Sequence, residues 1–376
     1  MNSRALPLLG TPIAQVDTPA LVIDVEAMQR NLAGMAAYAR EHRMRLRPHA
    51  KMHKSATIAK MQIEAGAAGV CVQKLSEAEV LAELGVGDIF ISNEIIDPAK
   101  LERLAVLAGR IRLAIAVDSV LGVERLANAL KAHGAHADVF VEIDVGQGRC
   151  GVAPTAAGQL AHQVVSHGLH FAGLQAYHGK AQHMRSAVER EAALRHTVAL
   201  VRAAQAGITR AGIACPLVTG AGTGTFVHET ASGLYAELQC GSYLFMDRDY
   251  ADNEPTPHAP RLITCDLTNS ACSKRGASHA VVDAGHKAHA IDSGLPRVWQ
   301  RELDFANGGD EHGILRPRGG KPGAAALPEL GETVWLVPGH CDPTVNLHDH
   351  YIVVRGGLAD GVVEAIWPVD TRGCLT

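Results

Sequence analysis

The sequence predicts an α/β protein: a (β/α)8 barrel over residues 17–250, joined to a β-rich domain formed by residues 1–16 and 251–376. Eight short strand-like runs alternate with Ala- and Leu-rich helical stretches over about 200 residues, which is the pattern of such a barrel. No Gly-x-Gly-x-x-Gly motif follows the first run, so an open doubly wound sheet is the less favoured alternative. Beyond residue 255 the helical pattern stops, which predicts the second domain.

The predicted barrel strands are short apolar or alternating runs. They are ALVIDV (20–25), MRLRPH (44–49), GVCVQ (69–73), DIFIS (88–92), IRLAIAV (111–117), ADVFVEID (137–144), HFAGLQAYH (170–178) and CPLVTG (215–220). Amphipathic or Ala-rich stretches such as residues 27–42 lie between them and are typical of helices. The alternation therefore predicts repeated βα units.

The C-terminal third has a different texture. After the Pro-rich segment NEPTPHAP come RLITCDLT, SHAVVDAG, ETVWLVPGH and HYIVVRGGLADGVVEAIWPVD. These segments alternate, are rich in β-branched residues and are separated by Gly and Asp turns, as strands are. We therefore predict a β-rich domain, which the first residues of the chain complete.

Composition excludes several function classes. The chain has 376 residues, 47% of them apolar, and a net charge of −4, which gives no reason to expect a nucleic-acid surface. No run approaches the roughly 20 apolar residues of a membrane helix, and the N-terminus does not resemble a secretory signal. The 8 cysteines form no Cys-x-x-Cys pair and are expected to be reduced. We predict a cytoplasmic protein with a small-molecule substrate.

Two glycine-containing turns predict a phosphate site at the C-terminal ends of the strands, where barrel enzymes place their chemistry. GAGTGT (220–225) offers backbone N–H groups and the hydroxyls of Thr223 and Thr225, and Gly241 and Ser242 form a second turn. Backbone N–H groups of this kind bind phosphate. Each motif alone also fits an ordinary tight turn, but the two together at one end of a barrel indicate a phosphate.

A lysine at a strand end completes the pattern of a pyridoxal phosphate site. RPHAKMHKS (47–55) places Lys51 after Arg47 and His49, whose positive charge we expect to lower the pKa of the lysine and so favour an imine with an aldehyde. Lys54 is the alternative, but we expect it to face solvent. A surface lysine in a basic loop is the structural alternative for Lys51.

Longer motifs resemble a known family. DTPALVIDV, RPHAKMHKS, VCVQKLSEAE, ISNEI, VEIDVGQGRCGV, LQAYHG, LQCGSYLFMD and VPGHCDPTVNLHD are similar to the metal-dependent D-threonine aldolases, over roughly residues 16–373. These aldolases are grouped with D-serine dehydratases and 3-hydroxy-D-aspartate aldolases on the alanine-racemase-like barrel. The resemblance implies a pyridoxal phosphate enzyme, with a β domain after the barrel, that assembles as a homodimer.

The resemblance also implies roles for individual residues. Lys51 would carry the cofactor, Arg149 would contact its phenolic oxygen, and Tyr177 and Gln73 would lie beside its ring. The phosphate would be held by Thr223, Gly224, Gly241 and Ser242. His340 and Asp342, in GHCD, match the metal ligands of the family.

The predicted metal pair favours a hard cation. One imidazole and one carboxylate leave most coordination positions open, which suits Mn²⁺ or Mg²⁺ better than structural Zn²⁺. His-x-Asp is common as a bare pattern, and its significance comes from the string around it. The related dehydratases carry His-x-Cys, so Asp342 after Cys341 favours the aldolase branch.

The implied activity is the cleavage of a β-hydroxy-D-amino acid to glycine and an aldehyde. The substrate would be D-threonine, D-allothreonine or 3-hydroxy-D-aspartate. His183, in KAQHMRS, is the candidate base for the β-hydroxyl proton, and a metal-bound hydroxide is the alternative. A dehydratase on the same scaffold, a racemase and a non-catalytic pyridoxal phosphate carrier are the competing functions. GGDEHGIL, with Glu311 and His312, also resembles a family segment but receives no role.

Overall fold

A computed structural model describes residues 6–257, 259–260, 262, 266–275, 278–320 and 327–376. Its helices and strands fall into two groups along the chain. Through residue 251 they are β1 (Ala20–Asp24), α1 (Val25–Glu41), β2 (Arg45–Leu46), α2 (Ala56–Glu64), β3 (Val70–Val72), α3 (Leu75–Glu83), β4 (Asp88–Ile91), α4 (Pro98–Ala108), β5 (Arg112–Val117), α5 (Val120–His133), β6 (Asp138–Glu142), α6 (Ala157–Ser166), β7 (His170–Ala176), α7 (Ala187–Arg210), β8 (Val218–Gly220), α8 (Phe226–Ala231), β9 (Glu237–Leu238) and α9 (Arg248–Ala251).

The second group is composed mainly of strands, as predicted. Its elements are β10 (Asp266–Arg275), β11 (Ala280–Val282), β12 (Arg297–Val298), β13 (Leu303–Asn307), β14 (Gly313–Pro317), β15 (Thr333–Val337), α10 (Cys341–Val345), β16 (His350–Arg355), α11 (Gly357–Asp360) and β17 (Val362–Pro368). Short 3-10 turns occur at Ile13–Gln15, Pro154–Ala156, Gly179–His183, Ser242–Leu244 and Arg318–Gly320.

Local sequence signals explain where several helices begin and end. The Asp24 side chain accepts hydrogen bonds from the backbone N–H groups of Glu26 and Ala27, which caps α1 directly after β1. Ser119 caps α5 in the same way, and Gly134 ends that helix in the left-handed conformation. These caps convert each strand end into a helix start without a long loop.

Eight parallel strands form the barrel, which confirms the predicted fold class. They run in the order β2-β9-β8-β7-β6-β5-β4-β3. Backbone hydrogen bonds from Ala68 N to Leu46 O and from Cys71 N to Pro48 O, both 2.8 Å, connect β2 to β3 and close the ring. Closure leaves no exposed strand edge in this part of the fold.

One predicted strand lies elsewhere. The first run, β1, is not a barrel strand: it pairs antiparallel with β10 and parallel with β16 in a nine-stranded sheet. The eighth barrel strand is β9, two residues that the sequence pattern did not indicate. The loop GAGTGT, which follows the eighth predicted run, therefore follows β8, the seventh strand of the barrel. Gly241 and Ser242 follow β9, the eighth strand.

Alternation along the barrel strands produces two separate apolar layers. Val70, Val72, Ile89 and similar residues pack against the surrounding helices. Phe90 and others point inward and form a smaller cluster inside the barrel. Because successive side chains of a strand face opposite sides, one set of apolar residues builds each layer.

Part of the barrel interior is polar. Arg47, with 4% of its surface exposed, donates to Glu237 at 3.2 Å and to Asp88. Thr219 donates to Glu237 at 3.0 Å, and Gln239 donates to Thr219 at 2.8 Å. This hydrogen-bonded layer compensates the buried charges and extends from Asp88 and Glu237, the first residues of β4 and β9, to Gln239 beyond the end of β9.

The nine-stranded sheet packs on the barrel through α1. Leu21 and Ile23 of β1 contact a cluster that contains Met28 and Met35 of α1, while Val22 faces the opposite side of the sheet. The segment before β1 contacts the sheet edge, where Gly10 N donates to Val363 O at 2.8 Å. Residues 1–5 of the predicted N-terminal contribution lie outside the described residues.

Two further sequence expectations concern thiols and membranes. No disulfide joins Cys71, Cys150, Cys215, Cys240, Cys341 or Cys374; Cys265 lies outside the described residues. Among the described helices, none combines the length and the apolar character that crossing a bilayer requires.

Candidate active site

A cavity of about 370 Å³ opens where the barrel strands end and the second domain begins. The predicted site residues follow different elements, yet ten of them line this one space. They are Lys51, Gln73, Arg149, Tyr177, His183, Thr223, Gly241, Ser242, His340 and Asp342. Parallel strands place their C-terminal ends on one side of a barrel, which brings the barrel residues together. His340 and Asp342 reach the same space from the start of α10.

Lys51 lies in the loop between β2 and α2 and faces a carboxylate. Its Nζ is 2.7 Å from Oδ2 of Asp342. The charge of Asp342 raises the pKa of Lys51 above its ordinary value and outweighs the opposite effect of burial. The expectation that neighbouring cations lower the pKa of Lys51 is therefore wrong in this structure, because the nearest charge is negative.

The two predicted cationic neighbours of Lys51 point elsewhere. Arg47 is in the polar layer inside the barrel, paired with Glu237 and Asp88. His49 lines the cavity, and its Nε2 lies 3.1 Å from Ser92 Oγ. Burial and the charge of Lys51 lower the pKa of His49 well below its ordinary value, so this ring is neutral.

Lys54 does not face solvent, contrary to the expectation. It is 7% exposed, and its Nζ lies 2.6 Å from Glu77 Oε1 and 3.3 Å from the carbonyl oxygen of Thr371. The other oxygen of Glu77 accepts the backbone N–H of Gln73 at 3.0 Å. Lys54 thus connects the Lys51 loop to the end of β3 and does not line the cavity.

The predicted metal ligands lie at the start of α10. Nε2 of His340 is 3.8 Å from Oδ1 of Asp342. Two atoms bound to one cation at about 2.1 Å each are at most about 4.2 Å apart, so this separation fits a shared ion. Burial lowers the pKa of His340, but the charges of Asp342 and Asp247 outweigh burial and raise it to about 9.

Asp247 orients the imidazole of His340. Its Oδ2 accepts from Nδ1 of His340 at 2.8 Å and from the backbone N–H of Cys341 at 2.9 Å. A carboxylate on one ring nitrogen fixes the other nitrogen for metal binding. Asp247, His340 and Cys341 also lie close enough to share an ion, but Asp247 is already engaged and Cys341 is fully buried, whereas Asp342 lines the cavity.

His183 lines the cavity at the end of the 3-10 turn Gly179–His183. Its Nδ1 donates to Asp249, and its ring centroid is 6.3 Å from that of His340. Burial raises the pKa of Asp249, but hydrogen bonds from His183 and Arg185 outweigh burial and lower it. Asp249 is therefore a charged carboxylate that holds the His183 ring with Nε2 free for proton transfer.

The predicted phosphate residues differ in what they can offer. The hydroxyl of Thr223 is buried at the cavity and has no hydrogen-bond partner among the described residues. An orphaned buried donor is costly, and a phosphate would satisfy it. Gly241 packs tightly, since a Cβ there would lie 2.8 Å from the carbonyl oxygen of His49. Ser242 Oγ lies 3.4 Å from Asp342.

Two residues of the same loop are engaged elsewhere. The N–H of Gly224 donates to the side chain of Gln182 at 2.9 Å, and Gly224 does not line the cavity. The hydroxyl of Thr225 donates to Glu229 at 2.8 Å. In this structure neither group is directed at a phosphate, because each one joins a buried network below the loop.

The remaining predicted residues surround the space where a ring would lie. Tyr177 follows β7, and burial raises the pKa of its phenol. The amide nitrogen of Gln73 lies 3.0 Å from Nε2 of His49. Arg149, on an exposed loop after β6, lines the cavity.

Glu311, whose role the sequence left open, pairs with Lys287 at 2.7 Å on the surface.

Sequence reasoning missed several residues of the site. Asp247 is the last residue of the quoted motif LQCGSYLFMD and Asp249 lies two residues beyond it, but their spacing carries no metal or base signature. Gln239, Gln175 and Tyr250 also line the cavity. The presence of Asp247 at the end of LQCGSYLFMD was the one available signal.

Comparison with known families gives two matches. The model of the alanine racemase N-terminal domain matches residues 23–249. The model of a putative serine dehydratase domain matches residues 266–354. The chain therefore matches two domain models in succession.

Individual proteins are similar over nearly the whole chain. A D-threonine aldolase of Arthrobacter sp. is 43% identical, covering 97% of this chain and 95% of its own. A 3-hydroxy-D-aspartate aldolase of Paracoccus denitrificans (strain Pd 1222) is 41% identical, covering 98% and 95%. The crystal structure of D-threonine aldolase from Filomicrobium marinum has a TM-score of 0.94 at 45% identity and covers 99% of this chain and 100% of that chain.

A dehydratase is a more distant relative. The D-threo-3-hydroxyaspartate dehydratase of Delftia sp. (strain HT23) is 30% identical and covers 93% of this chain and 96% of its own. Similarity thus decreases from the aldolases to the dehydratase.

Proposed function

This chain belongs to the D-threonine aldolase family, and we propose that it cleaves β-hydroxy-D-amino acids to glycine and an aldehyde, with pyridoxal phosphate and a divalent cation. The single observation that supports this most directly is the meeting of Lys51, Asp342 and His340 at one cavity, with Lys51 Nζ 2.7 Å from Asp342. The aldehyde is acetaldehyde from D-threonine or D-allothreonine and glyoxylate from 3-hydroxy-D-aspartate.

The residues of the cavity divide the work. Lys51 carries the cofactor aldehyde, and Thr223, Gly241 and Ser242 hold its phosphate. The buried hydroxyl of Thr223, for which the described residues provide no hydrogen-bond partner, supports this assignment. When bound, the two groups supply an electron sink for the Cα–Cβ bond that breaks and a Lewis acid for the β-hydroxyl.

His183, oriented by Asp249, accepts the β-hydroxyl proton of the substrate. Asp249 holds Nδ1 of His183, so Nε2 can accept the β-hydroxyl proton as the Cα–Cβ bond breaks. His340 and Asp342 hold the cation, and Asp247 fixes the His340 ring. A mixed nitrogen and oxygen pair favours Mn²⁺ or Mg²⁺.

The alternative is a dehydratase that releases ammonia and a keto acid. Asp342, where related dehydratases carry cysteine, favours the aldolase. Incubation with D- and L-forms of several β-hydroxy amino acids, with and without Mn²⁺, tests the proposal. Glycine and aldehyde from D-forms are expected. Ammonia would favour the dehydratase, and a yellow protein without turnover would favour a cofactor carrier.

We also propose that the protein is a homodimer, as the family resemblance implies, and that it is cytoplasmic, as its composition predicts. Sedimentation of the purified protein should give twice the mass of the 39.7 kDa chain, and a monomer would contradict this part of the proposal.

A further inference from the structure

Gln182 is a fully buried polar residue directly before His183. It lies in the 3-10 turn Gly179–His183 and is 0% exposed. Because a buried amide must find hydrogen-bond partners to offset its lost hydration, its surroundings show which parts of the fold it connects.

The Gln182 side chain bonds to the loop predicted to hold the cofactor phosphate. Its Oε1 accepts the N–H of Gly224 at 2.9 Å, and its Nε2 donates to the Thr225 hydroxyl at 2.8 Å. The same nitrogen donates to the carbonyl of His178 at 3.2 Å. Both N–H groups and the oxygen of this amide therefore have partners.

The glycines of that loop make room for Gln182. A Cβ at Gly222 would overlap Oε1 of Gln182, and a Cβ at Gly224 would lie 2.8 Å from its carbonyl oxygen. Neither glycine is in the left-handed region, which is occupied in this loop by Ala221 with φ 71°. The glycine pattern thus reflects close packing against Gln182 as well as phosphate binding.

Further bonds fix both ends of this connection. The Thr225 hydroxyl continues to Glu229 at 2.8 Å, which is 1% exposed. The carbonyl of Gln182 accepts from Asn253 at 2.9 Å, on the side of the cavity where Asp249 holds His183. One continuous network therefore runs from the base of the phosphate loop to the segment that carries His183.

We propose that Gln182 is a positioning residue that couples cofactor binding at the Gly222–Thr225 loop to the placement of His183. The inference rests on the proposed function for the role of His183, but its cofactor part stands separately. Coupling of this kind is reciprocal, so a change at Gln182 weakens cofactor binding and misplaces the base together.

Gln182→Met tests the coupling, because methionine has a similar shape and lacks the amide. Cofactor affinity is measured by titrating the apoprotein with pyridoxal phosphate and following absorbance, and kcat and KM are measured with D-threonine and Mn²⁺. We expect the cofactor Kd to rise at least tenfold and kcat to fall at least tenfold, with a smaller change in KM. Gln159→Met, on the exposed face of α6, is the matched control and should change neither.

A double-mutant cycle separates positioning from general damage. If Gln182 acts through His183, Gln182→Met should reduce kcat by less than threefold in a His183→Ala background, while the cofactor Kd still rises. An unchanged cofactor Kd, or the full tenfold loss of kcat in both backgrounds, would overturn the proposal.

Further measurements cover a Gln182→Met protein that does not fold and a wild-type protein that lacks turnover. If Gln182→Met does not fold, Thr225→Val removes the hydroxyl between Gln182 and Glu229 and should raise the cofactor Kd at least threefold; an unchanged Kd would overturn the coupling. If the wild-type protein binds the cofactor but cleaves no substrate, the proposed function fails, and the cofactor titrations still decide whether Gln182 supports the phosphate loop.

Discussion

Lys51 Nζ lies 2.7 Å from Asp342 Oδ2, so the predicted cofactor lysine and a predicted metal ligand form one charge pair across the two parts of the fold. Lys51 follows a barrel strand, and Asp342 lies in the first turn of α10, in the second domain. The pair brings the two reactive centres into the same cavity.

Lys51→Ala should abolish the visible absorption of the bound cofactor, because its Nζ is the amine that lies beside Asp342 in the cavity. Borohydride reduction followed by peptide mapping checks the assignment. Lys54→Met is the control and should retain the absorption, since Lys54 is paired with Glu77 away from the cavity. A labelled peptide from the Lys51→Ala protein would assign the imine to another lysine.

His340→Ala should remove activity and lower Mn²⁺ affinity while leaving the cofactor bound. Asp247→Asn should lower Mn²⁺ affinity by about 10–100-fold, because the carboxylate orients the His340 ring. Calorimetric titration of the cofactor-loaded protein measures both effects. Cys341→Ala distinguishes the competing ligand set: Mn²⁺ affinity should be unchanged, and a loss equal to that of His340→Ala would make the thiol a ligand.

His183→Ala should lower kcat by about 10²–10⁴-fold with a smaller change in KM, the loss typical of a removed general base. Asp249→Asn should give a partial loss, since it disturbs the orientation of the ring and leaves the base in place. Steady-state kinetics with D-threonine and saturating Mn²⁺ measure both. Wild-type turnover in His183→Ala would instead favour a metal-bound hydroxide as the base.

Lys54→Met should destabilise the fold by about 3–5 kcal/mol, because it leaves the carboxylate of Glu77 buried without its cation. Denaturant unfolding of the apoprotein measures the change. The exposed pair of Arg103 and Glu79 is the matched control, and Arg103→Ala should cost less than about 1 kcal/mol. Equal losses of unfolding free energy in the two variants would show that the buried pair of Lys54 and Glu77 stabilises the fold no more than the exposed pair does.

Glu229→Gln should remove one pH dependence of stability. Burial raises the pKa of Glu229 to about 7, although the Thr225 hydrogen bond lowers it in part. The folded state then binds the proton more tightly than the unfolded state, whose glutamate has a pKa of about 4.3. The contribution of this proton to the free energy of unfolding is full below the unfolded-state pKa. It is lost as pH rises to 7, a change of about 3 kcal/mol.

Unfolding free energies of wild type and Glu229→Gln at pH 4.5 and pH 7.5 check this sign. The wild-type protein should lose more stability than the variant between the two values. Identical slopes would show that Glu229 is ionised in the folded state across this range.

The sequence predicted the barrel because hydrophobic alternation is strong in long strands such as β5 and β7. It could not place β1, since an apolar run has the same pattern in either sheet. It also missed β9, because two residues carry no periodicity. The pairing of the buried Glu237 with Arg47 was not predictable, because the two residues are 190 positions apart in the sequence.

The site was predictable where a motif carries chemistry and unpredictable where a partner is distant. Lys51, His340 and Asp342 stand in motifs, and all three line the cavity. The sign of the pKa shift at Lys51 depends on Asp342, and the burial of Lys54 depends on Glu77. Neither pairing is visible in local sequence, because folding alone brings these charges together.

The position of β1 means that the boundary between the two matched domains is not a place to cut the chain. Ala20–Asp24 pairs on one side with β10 and on the other with β16, both encoded after residue 250. A fragment that ended there would expose both edges of this apolar strand to self-association. During synthesis, β1 can pair only after β10 and β16 have been made. The barrel and the nine-stranded sheet therefore complete their folding together.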